Sequence, residues 1–277
     1  MRLRIDLAYD GTEFRGWATQ PGLRTVQEDL TTALTTVLRI PEGSLTVTVA
    51  GRTDAGVHAR AQVAHVDVPE DLVAVAPDQL YRLGRRVNGV LGRDVRVHHI
   101  VPAADGFDAR YSALWRRYSY RIADAPALID PLRRREVLRW GRHLDGDAMN
   151  EASASLIGLH DFAAFCKKRE GATTIRTLLE FDWRRDDSGI LVGHVRADAF
   201  CHSMVRALVG CVVAVGEGRR SVAWAAEVLT GKQRDQGVTV VPAHGLVLEE
   251  VCYPADDQLA ARAQQTAARR TSTEAPS

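Results

Sequence analysis

Apolar and polar residues alternate from the first positions of the chain. Leu3, Ile5 and Leu7 stand between Arg4 and Asp6, the period of a half-buried strand. The period then changes. Thr25 with Glu28 three residues on reads as a capping box, and Val26, Leu30, Ala33, Leu34, Val37 and Leu38 recur at helical spacing, predicting a helix to about residue 38. Residues 45–50 and 61–68 alternate again and predict strands. Residues 77–90 predict a helix with Leu80, Leu83 and Val87 on its apolar side, and residues 95–101 a further strand. Strand, helix, strand, strand, helix, strand is the order of a ferredoxin-like split βαβ unit.

The rest of the chain repeats that order without obvious sequence identity. Tyr118, Tyr120 and Ile122 alternate as a strand, and residues 145–156 predict a helix. Residues 174–183 and 190–197 alternate strongly around a polar, Gly-containing turn, which is a hairpin pattern. A helix opens after Asp198 and runs to about residue 215; residues 221–229 predict a short helix and residues 241–253 the closing strand. The expected fold is therefore α+β, two ferredoxin-like halves over residues 1–104 and 105–256. From residue 257 to 277 the composition of Ala, Gln, Thr and charge predicts a disordered tail.

Composition narrows this picture only at some points. The chain has 277 residues, 45% of them hydrophobic and 26% charged, as in soluble globular proteins. A net charge of +1 gives no global pull toward nucleic acid. Of the 36 basic residues, only Lys167, Lys168 and Lys232 are lysines. Arginine forks suit phosphates and base faces, and a GC-rich coding sequence explains the same bias. Local clusters separate the two better. Arg82, Arg85 and Arg86 crowd one helix as a phosphate patch or a solvated face. Arg110, Arg116, Arg117 and Arg121 interleave with Tyr111, Trp115 and Tyr118, the mixture an unstacked nucleotide requires. Arg133 to Arg135 and Lys167 to Arg169 are further basic runs. Cys166, Cys201, Cys211 and Cys252 form no Cys-x-x-Cys pair and read as reduced, mostly buried thiols. The histidines show no metal-ligand clustering. The opening strand has no signal-peptide pattern and no apolar run reaches membrane-spanning length, so the expectation is a cytoplasmic protein with no membrane contact.

The stretch that carries chemistry lies between the strands at 45–50 and 61–68. It reads Gly51-Arg52-Thr53-Asp54-Ala55-Gly56-Val57-His58-Ala59. An acid on a Gly-bounded loop beside an arginine suits an ionised nucleophile or base. The residues alone favour a turn in which Asp54 caps backbone amides and Arg52 is solvated.

The string as a whole resembles the catalytic signature of the TruA-type tRNA pseudouridine synthases. Tyr9-Asp10-Gly11-Thr12-Glu13-Phe14-Arg15-Gly16-Trp17 resembles that family's opening loop. Phe107 to Tyr120, the Gly158 to Phe165 turn, Phe200 to Arg206 and Val241 to Tyr253 resemble later blocks, in family order. Ala18, Cys201 and Ala207 depart from the family pattern, where Gln, Leu and Asn are usual. The resemblance implies Asp54 as nucleophile, Arg206 as its ion-pair partner and Tyr118 as the ring that stacks on uracil and assists proton transfer. Leu246 would wall the uracil. Arg52, Arg15, Arg85, Arg110 and Arg116 would bind substrate. It implies a pseudouridine synthase fold, with two ferredoxin-like halves joining antiparallel sheets around a basic cleft. It also implies isomerisation of uridine at tRNA positions 38–40 in the anticodon stem-loop, a homodimer, and no cofactor or metal. Whether Asp54 adds to the uracil ring or the ribose, or acts as a base in a glycal route, stays open at this level. The rival is a non-catalytic RNA-binding protein on the same fold, which needs the basic and aromatic surface but not an Asp54–Arg206 pair. An aspartate-dependent hydrolase is a weaker rival, because no second acid matches Asp54.

Overall fold

The computed structural model describes residues 1–73, 76–167, 173–233 and 235–267. The chain forms two compact units, Met1–Leu114 with the segment that begins at Leu248, and Trp115–Val247. Its α+β character follows the alternation of strand and helix periods in the sequence.

The first unit contains β1 (Arg2–Tyr9), α1 (Val26–Leu38), β2 (Val47–Val49), β3 (His58–Asp67), α2 (Pro77–Val90) and β4 (Val95–Pro102). Its sheet runs β4-β1-β3, with β2 also on β3, and these pairings are antiparallel. That arrangement is the ferredoxin-like one that the order of periods predicts. β1 is central, so the face bearing Leu3, Ile5 and Leu7 is completely buried. Ile5 stands opposite Ala64 of β3 and Ile100 of β4. Thr25 caps α1 by accepting the Glu28 N–H at 3.4 Å, as the sequence pattern requires. Leu30 and Leu34 then face the sheet with no exposure.

The second unit contains β5 (Trp115–Ala123), β6 (Leu138–Arg139), α3 (Gly146–Ala154), β7 (Gly158–Asp161), β8 (Ile175–Arg185), β9 (Leu191–Ala197), α4 (Met204–Gly216) and α5 (Trp224–Gly231). Its sheet runs β5-β9-β8-β7. β6 adds to β5 in parallel, and the β5–β9, β7–β8 and β8–β9 pairs are antiparallel. α4 is apolar around almost its whole circumference and is correspondingly buried, with Arg206 its one half-exposed residue before the final turn. β10 (Leu246–Cys252) begins in this unit and passes into the first, where it lies next to β3.

Two expectations are corrected. Residues 257 to 267 are not a disordered tail: α6 (Leu259–Ala267) follows β10. Leu259 is buried, its carbonyl accepts the Ser112 hydroxyl at 3.1 Å, and Arg262 donates to the Ala113 carbonyl at 3.4 Å. The Ala-rich composition read as featureless is a good helix former, and one buried leucine suffices to dock it. Residues 268–277 lie outside the described residues, as do Lys168 and Arg169 of the basic run.

The second correction concerns cysteine. Cys166 and Cys201 are joined in a disulfide with a Cα separation of 5.6 Å, and only Cys211 and Cys252 are thiols. The Lys167 N–H donates to the His202 carbonyl at 3.1 Å, holding the two segments side by side. Protein denatured without reductant should therefore take up iodoacetamide at Cys211 and Cys252 alone, and at all four cysteines after reduction. Peptide mass mapping reads the difference, and labelling of Cys166 and Cys201 without reductant would contradict the bond.

Candidate active site

Asp54 sits half-buried on the loop between β2 and β3, and the first unit holds that loop from several sides. Thr53 is buried; its carbonyl accepts the Trp17 N–H at 3.0 Å and its hydroxyl shares a 2.7 Å hydrogen bond with the Tyr9 phenol. Gln62 is fully buried in β3 and donates to the Tyr9 oxygen at 3.1 Å and the Gly51 carbonyl at 2.9 Å. Beyond Asp54, the Val57 N–H closes a turn onto the Asp54 carbonyl at 3.1 Å, and the Gly56 N–H reaches the Phe14 carbonyl at 3.3 Å. His58 accepts the Gly11 N–H on Nδ1 at 2.9 Å. Together these bonds fix the loop on either side of Asp54, through its backbone or through the Tyr9 hydroxyl.

The glycines of the 9–17 loop explain how two loops approach so closely. A Cβ on Gly11 would fall 2.0 Å from the Val57 carbonyl oxygen. Gly16 has φ of +98°, open to glycine alone at no steric cost, and a Cβ there would lie 2.9 Å from the Thr53 oxygen. The phenol of Tyr9 belongs to this scaffold rather than to proton transfer: burial pushes its pKa up to about 12, against the pull of its bonds to Thr53 and Gln62.

Phe14 and Trp17 are core residues at 2% and 1% exposure. Phe14 also carries the Arg24 guanidinium 4.2 Å above its ring, and Arg24 in turn bridges Asp29 and Asp94 at 2.7 Å each. Arg15 and Arg52 point outward on the two loops that frame Asp54. Arg85 is exposed on α2. Arg110 is exposed with its guanidinium 5.0 Å from the centre of the Tyr111 ring.

Tyr118, Arg206 and Leu246 belong to the second unit. Tyr118 and Tyr120 share one face of β5, being two residues apart. The Tyr118 ring is buried and meets Phe200 edge-on at 5.1 Å. Arg206 emerges from the first turn of α4, which starts after Ser203 in a left-handed conformation at φ of 62°. Such a conformation is unusual for a residue with a Cβ, and it sets the direction in which α4 departs. Arg206 Nε donates to the Val241 carbonyl at 2.7 Å. Leu246 is buried just beyond that segment. Arg116 is buried at 6% exposure and donates to the Asp198 carbonyl at 2.8 Å, which ties β5 to the end of β9.

Sequence reasoning did not single out Tyr9, Gln62, Gly11, Gly16 or His58 as supports of the Asp54 loop. A signal existed for one of them: Gln62 is a polar residue at the edge of an apolar run, and a fully buried amide must find partners. Among the described residues no group of His, Cys, Asp and Glu is placed to hold a metal ion, and no helix is long and apolar enough to cross a membrane.

Comparison with known proteins defines the class first. Residues 152–254 match the family model described as tRNA pseudouridine synthase. Full-length relatives then define the family. A tRNA pseudouridine synthase A of Frankia casuarinae is 58% identical over 270 residues, 98% of this chain and 96% of the relative. That of Streptomyces griseus is 58% identical over 274 residues, 98% and 94% of the two chains. That of Mycobacterium leprae is 48% identical over 280 residues, 98% and 96%. The chain belongs to the tRNA pseudouridine synthase A family.

Proposed function

We propose that this protein isomerises uridine to pseudouridine at positions 38–40 of the tRNA anticodon stem-loop, with Asp54 as the nucleophile. As a member of its family it is a tRNA-uridine isomerase. The observation that carries the Asp54 assignment is its loop: a half-buried aspartate whose flanking backbone is bonded on both sides; the positions 38–40 come from the family resemblance. A turn that merely caps its own amides needs no such frame of Tyr9, Gln62, His58 and two close-packed glycines.

The reaction balances without any added group. The N1–C1′ bond of uridine breaks, the C5–C1′ bond forms, the C5 proton leaves to solvent and N1 regains a proton. The target base must first leave its stack, at a cost of a few kcal/mol. Asp54 supplies the nucleophilic carboxylate. The resemblance gives Arg206 the part of its ion-pair partner, Tyr118 that of the ring stacked on uracil and assisting proton transfer, and Leu246 that of an apolar wall. Arg15, Arg52, Arg85 and Arg110 suit phosphate contacts by their exposure. The burial of Arg116 suits support of β5 instead. A cytoplasmic homodimer completes the reading.

The test is release of tritium from tRNA labelled at uracil C5, followed by mapping of pseudouridine in the product. Release with pseudouridine at 38, 39 or 40 is the expected result; pseudouridine elsewhere would overturn the site, and tight binding without release would favour an RNA-binding module. Affinity should also fall with salt. Four phosphate contacts predict a slope of log K against log salt of about −3 to −4, and each Arg→Ala change at 15, 52, 85 or 110 should reduce its magnitude by roughly 0.7–0.9. Filter binding over a salt series checks both numbers.

A further inference from the structure

Tyr120 does more than fill the core of the second unit. Its side chain is fully buried, and its hydroxyl donates to the Pro242 carbonyl at 2.7 Å. Proline has no N–H, so that carbonyl is the residue's sole main-chain polar handle. The neighbouring Val241 carbonyl takes Arg206 Nε at 2.7 Å, and the Val241 N–H returns to the Arg206 carbonyl at 3.3 Å. Three residues beyond Pro242, the Tyr120 ring packs against Gly245, where a Cβ would sit 2.7 Å from Cζ. Behind them, Gly210 of α4 leaves no room against the segment, since a Cβ there would fall 1.7 Å from the Thr239 oxygen. The segment from Thr239 to Gly245 is thus pinned at successive points, and the residue it delivers next is Leu246.

We propose that Tyr120 is a positioning residue: its hydroxyl and ring clamp the Val241–Gly245 segment, and through it set both the Arg206 guanidinium and the Leu246 side chain for the reaction. Phenylalanine would satisfy the packing alone. The phenol adds one directed bond, at the point where two consecutive carbonyls divide between Tyr120 and Arg206. Burial raises the Tyr120 pKa, opposed by the nearby positive charge of Arg206, so the hydroxyl keeps its proton and remains a donor throughout the neutral range. This inference rests on the isomerase reading for its catalytic consequence, while the clamp itself is independent of activity.

Tyr120→Phe separates the two. Hydrogen exchange at the amides of Gly245 and Leu246 should speed up by about tenfold or more, because the segment loses its outer bond. Unchanged exchange would overturn the clamp whatever the activity. In tritium-release assays kcat should fall about tenfold with KM for tRNA within about twofold, the split expected when an interaction shapes the reacting state and not binding. A purely structural role would instead lower the melting temperature and the active fraction, leaving kcat per folded molecule unchanged, and that outcome would overturn the proposal. Combining Tyr120→Phe with Arg206→Lys should cost no more than about twofold beyond Arg206→Lys alone, since both act through one unit; full multiplication of the two effects would overturn it. Absence of release from the unaltered protein would strike the isomerase reading, and the exchange measurement would still decide the clamp.

Discussion

Asp54→Asn should abolish tritium release, lowering kcat by about 10⁴-fold or more, while tRNA binding stays within about threefold. The substitution is nearly isosteric and exchanges a carboxylate for an amide that cannot add to the nucleoside. The main-chain bonds that shape the loop run from Thr53, Asp54, Gly56 and Val57 backbone atoms and do not depend on the carboxylate. The change should therefore leave the fold stable to within about 1 kcal/mol, as for other substitutions away from the core. Single-turnover release, parallel filter binding and a urea melt give the three readouts. Residual activity within about tenfold of the unaltered protein would remove Asp54 from the nucleophile's role. Equal loss of binding and activity would point to a phosphate-facing or structural part.

Much of the architecture was legible because burial is periodic. Leu3, Ile5 and Leu7 on β1, and Leu30 and Leu34 on α1, occupy the faces their spacing predicts. What escaped depended on contacts between segments distant in sequence. β6 and β7 have two and four residues, too short for a period to emerge. The bond between Cys166 and Cys201 joins residues 35 apart and has no local spacing rule. Arg116 shows the same limit at the level of a single side chain: its type suits RNA contact, and only packing reveals that it is buried. The Asp54 motif was legible as a string of residues. The frame that holds it was not, since Tyr9, Gly11 and Gln62 come from β1, the loop after it and β3.

That frame predicts the second large effect. Gly11→Ala should lower activity by about a hundredfold and destabilise the first unit by roughly 1–3 kcal/mol, the usual cost of overpacking. The added methyl would lie 2.0 Å from the Val57 carbonyl oxygen and 2.6 Å from its carbon. Both are main-chain atoms, so no side-chain rotation relieves the clash and the two loops must separate. Separation pulls the Gly11 N–H away from His58, now held at 2.9 Å, and shifts the residues just beyond Asp54. A displacement near 1 Å at a reacting group is enough for the activity loss. Gly84 supplies the contrast. It lies within α2, where a Cβ would meet only Ile100 at 4.0 Å. Gly84→Ala should leave activity unchanged and raise stability by up to about 1 kcal/mol, the helix-propensity gain. If Gly11→Ala kept full activity, the close approach of the two loops would not be what places Asp54. If both alanine variants lost activity alike, the loss would come from general sensitivity of the unit and not from the frame around the carboxylate.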